Sequence, residues 1–111
     1  MTRSMSTSRQ DYQGSWTFLS NHAHVLVCLA RDPDARLREI AERVGITERA
    51  VHRIITELEE GGVIRRSRSG RRNHYDIDLT ATMRHPLEAE CTVGSLLGPL
   101  LGSAPENPSK A

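Results

Sequence analysis

Residues 37–64 read Leu37-Arg-Glu-Ile-Ala-Glu-Arg-Val-Gly-Ile-Thr-Glu-Arg-Ala-Val-His-Arg-Ile-Ile-Thr-Glu-Leu-Glu-Glu-Gly-Gly-Val-Ile64. Leu37, Ile40, Ala41 and Val44 fall on one face of a helix that ends at Gly45, where glycine supplies the left-handed backbone of a helix stop. Thr47 is placed to cap the next helix, from Glu48 to about Glu60, because its hydroxyl can accept an orphan N–H of the first turn. Val51, Ile54, Ile55 and Leu58 form the inward face of that helix, and Gly61-Gly62 stops it. Ala41 must be small where the following helix crosses it, and Val51 and Ile54 fill the angle between the two. These residue types at these offsets are what a helix-turn-helix needs.

Working toward the N-terminus, a first helix is predicted to begin between Trp16 and Asn21 and end near Arg31. Phe18, Leu19, Leu26, Leu29 and Ala30 stand at helical spacing, widened by Val25 and Cys28. Asp32-Pro33-Asp34 is a stop and turn. Toward the C-terminus, residues 63–68 and 74–79 read as the strands of a β-hairpin with a glycine turn between them. Tyr75, Ile77 and Leu79 alternate with His74, Asp76 and Asp78, the pattern of a half-buried strand. A last helix is predicted from Thr92 to about Leu101, with Val93, Leu96, Leu97, Leu100 and Leu101 as its stripe. Gly94, Gly98 and Pro99 make it weak alone, since an interior proline costs on the order of 3 kcal/mol. A partner must therefore cover its leucines. Polar residues 1–15 are expected to be a flexible arm, and residues 103–111, with Pro105 and Pro108, a disordered tail.

The 111 residues, 37% hydrophobic and 26% charged, allow one small folded domain. That excludes two-domain enzymes, dinucleotide-binding folds and large barrels. Cys28 and Cys91 are the only cysteines, which makes neither a disulfide framework nor a CxxC metal pair. With no long apolar run and no apolar signal segment, no membrane association is expected and the chain is assigned to a reducing cytoplasm. HExxH, P-loop, GxSxG and GxGxxG motifs are all missing, so an enzyme is not expected. Asp76 and Asp78 read as solubilising charges.

Net charge is only +1, but its placement is uneven. Residues 65–74 hold five arginines and no acid, whereas Glu57, Glu59 and Glu60 crowd the end of the preceding helix. That asymmetry would orient the domain on a polyanion.

Helix, helix, glycine turn, helix and hairpin, in that order, make a mainly α winged helix-turn-helix with a small β-hairpin. Over roughly residues 16–80 the chain resembles winged-helix transcriptional regulators of the MarR and ArsR type, on the stretch quoted above and the arginine-rich wing after it. The resemblance implies double-stranded DNA as partner, with the outward face of the helix over 47–60 in the major groove. Arg49 or Arg53 would pair with guanine, each worth roughly 1–3 kcal/mol of discrimination. His52 would donate to a base or phosphate, and Thr47 would meet a phosphate at the helix N-terminus. Glu48 would accept from cytosine or favour the positive helix end, and Thr56 completes the face. The competing assignment for Arg53 is a solvated pair with Glu57. In the wing (65–74), Arg68, Arg71, Arg72 and Asn73 are the candidates for backbone or minor-groove contact.

Similar regulators dimerise through terminal helices. A homodimer is expected here through Phe18, Leu19, Leu26, Val93, Leu96, Leu97 and Leu100, the alternative being that this stripe closes the monomer's own core. The expected division is 16–85 for the winged helix and 86–102 for a C-terminal dimerisation helix. ArsR-type regulators sense metals through cysteine and histidine clusters. The nearest candidates here, His85, Glu88, Glu90 and Cys91, match no standard zinc spacing, and no metal or other cofactor is expected. MarR-type regulators bind small aromatic effectors, so Tyr12, Trp16 and Phe18 are candidates for a pocket or for core packing, and an effector is left open. A winged-helix adaptor for another protein is the alternative function.

Overall fold

The computed structural model describes residues 16–102, so the arm and tail expected at 1–15 and 103–111, and Tyr12, lie outside the described residues. Among the described residues four helices and one hairpin follow in the order α1 (Asn21–Arg31), α2 (Leu37–Val44), α3 (Glu48–Glu60), β1 (Ile64–Ser69), β2 (Arg72–Ile77) and α4 (Val93–Leu101), with a 3-10 turn at Pro86–Glu88. This is a winged helix-turn-helix.

Local chemistry sets the boundaries. The Ser20 hydroxyl accepts from Ala23 N–H and starts α1, and Thr47 Oγ1 accepts from Ala50 N–H at 3.0 Å and starts α3. The Glu39 carboxylate reaches back to Arg36 N–H at 2.9 Å, holding the first turn of α2. Gly45 ends α2 at φ 88°, its N–H on the Ala41 carbonyl at 2.8 Å. A side chain there would meet no neighbouring atom, so the cost of adding one is conformational. Gly45→Ala is expected to lower stability by about 1–2 kcal/mol, read as a shifted denaturant midpoint at unchanged slope. An unshifted midpoint would show that the turn tolerates an L-residue.

The core is one cluster. Leu29, Ile40, Val51, Ile54 and Ile55 close it between α1, α2 and α3, and Ile64 and Tyr75 cap it from the hairpin. The strands pair antiparallel, Ile64 opposite Ile77 through Ser69 opposite Arg72, leaving a two-residue Gly70-Arg71 turn. The α1–α2 link adds to the outer edge of β2, where Tyr75 N–H donates to the Pro33 carbonyl at 3.0 Å.

Three expectations need correction. Phe18 and Leu19 do not extend the stripe of α1, because the Ser20 cap starts the helix after them. Phe18 is 92% exposed and edge-on to Trp16, with ring centroids 4.9 Å apart, so it lines no pocket. Leu79 leaves the buried side of the strand and is exposed. Asp78 accepts from the Thr80 N–H and hydroxyl through its side chain, a tight turn that redirects the chain after Ile77. The most consequential difference concerns α4. Leu26, Val93 and Leu97 belong to the monomer's own core, Leu97 only 1% exposed, and present no face to a second copy.

The weak α4 sequence is helical because the chain docks it. Thr92 caps it, Val93 N–H donates to the Ala81 carbonyl at 2.7 Å, and Gly94 N–H donates to the Leu79 carbonyl at 2.8 Å. A side chain on Gly94 would stand 3.0 Å from that carbonyl oxygen, so this glycine permits the close approach. α4 then packs along α1, which offsets the poor propensity of Gly98 and Pro99.

Candidate nucleic-acid interface

Because Val51, Ile54, Ile55 and Leu58 are drawn inward, the opposite side of α3 must face water. Glu48, Arg49, His52 and Arg53 are all exposed, and Thr56 is half-buried. The Thr47 hydroxyl accepts within the cap, and Thr56 Oγ1 donates to the His52 carbonyl at 3.0 Å. Both threonines therefore shape the helix, and Thr56 has no proton left to donate to a base. Among the described residues Arg49 makes no ion pair.

Arg53 does. Its guanidinium stands 3.6 Å from Glu57, the pairing weighed as its alternative role, with 64% of its side chain still exposed. The other oxygen of Glu57 lies 2.6 Å from His22 Nε2 on α1. The His22 bond, more than the Arg53 charge, holds the Glu57 carboxyl below the usual carboxylate range. Arg53 thus stands beside a carboxylate tied to a second helix, a restraint that periodicity along α3 does not reveal. An exposed pair of this kind is weak and screened by solvent, so the guanidinium remains available to a ligand.

The wing carries less free charge than its five arginines suggest. At its base Arg66 pairs with Glu59 of α3 at 3.4 Å. Arg65 stands across the ladder from Asp76 and helps keep the Asp78 carboxyl low, after that group's bonds to Thr80. Toward the tip Arg68, Arg71 and Arg72 are all exposed. Arg72 Nη1 donates to the Asp34 carbonyl at 3.3 Å, and Asn73 Nδ2 lies 3.5 Å from the Tyr75 hydroxyl. The uncompensated positive charge therefore lies at the tip, next to the turn.

Two residues of the wing region escaped sequence reasoning. His74 Nδ1 lies 2.8 Å from Asp34 Oδ1, and its Nε2 lies 3.3 Å from Asp76. The Asp34 bond, aided by Asp76, holds the imidazole above the ordinary histidine range against some desolvation. Asp34 and His74 lie 40 residues apart, so no local pattern joins them.

The remaining candidates do not converge on a site. His85 Nδ1 accepts from Leu87 N–H at 3.1 Å and caps the 3-10 turn, while Cys91 is an exposed free thiol. Among the described residues no three His, Cys, Asp or Glu side chains gather as a metal cage. Cys28 is buried, and burial pushes its thiol pKa up despite Arg43 and Arg31. No helix among the described residues is long and apolar enough to cross a membrane.

Residues 21–65 match the family described as winged helix-turn-helix DNA-binding. A similar solved structure is the crystal structure of ZitR, a zinc-responsive MarR family member of Lactococcus lactis. It is 25% identical with a TM-score of 0.46, over 60% of this chain and 47% of that one. The present chain thus spans about half of that protein's length. Comparison with curated proteins gives no match. Residues 21–65 are thus similar to winged helix-turn-helix DNA-binding domains, and the order of helices and hairpin around them is that of the same fold.

Proposed function

We propose that this chain is a dimeric, sequence-specific regulator of transcription, working in the cytoplasm on double-stranded DNA. The observation that carries the reading is the exposed arginine-bearing face of α3 beside a wing whose free cations cluster at the tip. In this reading Arg49, His52 and Arg53 face base edges in the major groove, Glu48 accepts from cytosine or favours the helix N-terminus, and Thr47 meets a phosphate. Arg68, Arg71, Arg72 and Asn73 lie on the backbone or in the adjacent minor groove. Thr56, whose proton goes to the His52 carbonyl, meets DNA only as an acceptor.

The dimer surface of this proposal shrinks to what the core leaves outside: Phe18, Leu19, Leu96 and Leu100, of which Phe18 and Leu100 are exposed. Residues 16–85 are the reading head, and the outer side of α4 within 86–102 joins two heads. Two copies would address half-sites about one turn, roughly 34–36 Å, apart.

Selection of bound fragments from random duplex DNA by the full chain tests the reading. A palindromic consensus is expected, and retention of every sequence alike would sink it. Arg53→Ala in the same selection is expected to relax one base position per half-site by about 1–3 kcal/mol. A uniform loss at all positions would reassign Arg53 to a phosphate.

A further inference from the structure

Tyr75 and Ile77 anchor the base of β2 in or against the core. Toward the tip the anchoring changes. From His74 toward the turn, the bonds among the described residues that join β2 to the body are those to the α1–α2 link. They are the His74–Asp34 side-chain bond at 2.8 Å and the Arg72 bond to the Asp34 carbonyl at 3.3 Å. Next to them Tyr75 N–H takes the Pro33 carbonyl. A two-stranded ribbon is marginal by itself, so its free end points where these bonds direct it.

We propose that Asp34 is a positioning residue for DNA binding, which through His74 and Arg72 fixes the angle of the arginine-bearing wing tip to the outward face of α3. The proposal rests on the reading of the wing as a DNA contact. Asp34 does not touch DNA in this account. It places a negative charge beside the wing arginines, and charge alone would make it a hindrance to phosphate binding. Positioning and plain electrostatics therefore demand opposite signs when the carboxylate is removed.

The ring of His74 supplies a second signature. The charged groups facing it are Asp34 from the link and Asp76 and Arg72 on its own strand. Its β1 neighbour is uncharged Ser67, and Arg65 faces Asp76. α1 also packs on β2 but gives the ring no ion pair or hydrogen bond among the described residues. Protonated His74 donates to both carboxylates, whereas the neutral ring donates once. Its pKa is raised in the folded chain. The contribution is thus complete below the unfolded value, about 6.5, and is lost as pH rises through the folded value.

Anisotropy of a fluorescein-labelled mixed-sequence duplex of about two helical turns, titrated with the full chain at low salt, is the test. At about pH 6, Asp34→Ala and His74→Gln are each expected to weaken binding about two- to fivefold. The double variant should be no weaker than the worse single one. Near pH 8 the gap to the native chain should narrow, with far-ultraviolet circular dichroism confirming that all chains are folded. Asp34→Ala binding as tightly as the native chain or tighter at about pH 6 would overturn the proposal. So would single effects that simply add, or a gap indifferent to pH. If the native chain ignores the duplex, or if Arg71→Ala with Arg72→Ala changes nothing, the wing reading itself fails and this inference with it. Loss in that arginine pair without loss in Asp34→Ala removes Asp34 alone.

Discussion

Leu97→Glu is expected to abolish the folded state. Leu97 is 1% exposed in the cluster shared with α1. The substitution removes packing worth about 2–5 kcal/mol and forces a carboxyl group into an apolar site with no partner, which costs about 2–7 kcal/mol more even when it is protonated and far more when it is ionised. A small domain commands only about 5–15 kcal/mol in total. Far-ultraviolet circular dichroism and a thermal melt would show lost helix and no cooperative transition. A native-like melt would mean that α4 is not part of the core. Leu100→Glu is the informative contrast, because Leu100 is 38% exposed on the same helix. It should keep the fold and, if the outer side of α4 joins two copies, shift sedimentation from dimer to monomer. An unchanged dimer mass would move the interface elsewhere.

Arg71→Ala combined with Arg72→Ala is expected to weaken binding to every duplex sequence and to flatten the dependence of affinity on salt. Each phosphate contact contributes about 0.9 to the slope of log affinity against log salt. Two lost contacts therefore reduce the slope by roughly 2, and the deficit is largest in dilute buffer. Arg71→Ala alone should remove about half of that change. It lies in the turn, whereas Arg72 also bonds to the Asp34 carbonyl, so its loss carries no positioning effect. An unaltered slope in the double variant would take the wing out of the mechanism.

The two experiments address surfaces of different legibility. The outward face of α3 could be read from sequence, because the four inward apolar residues leave only one outward side for Glu48, Arg49, His52 and Arg53. The fate of α4 could not. Its leucine stripe demanded cover, yet spacing along a helix says nothing about whether the cover is α1 of the same chain or a second copy. The fold pairs it with α1 because the backbone bonds of Val93 and Gly94 to residues 79–81 deliver it there. Similarly, five arginines in one hairpin do not by themselves show which of them are neutralised. The glutamate that neutralises Arg66 comes from the end of α3, reached only when the hairpin folds back on that helix.

Helix limits and the sharp turn at Gly45 follow from the order of residues, because caps, glycine conformations and apolar periods act over about one helical turn. Such signals were sufficient for the winged helix-turn-helix. Which arginines stay free, which leucines are buried and what steadies the wing depend on pairs such as His22–Glu57 and Asp34–His74, 35 and 40 residues apart. Only the packed chain brings those partners within bonding distance.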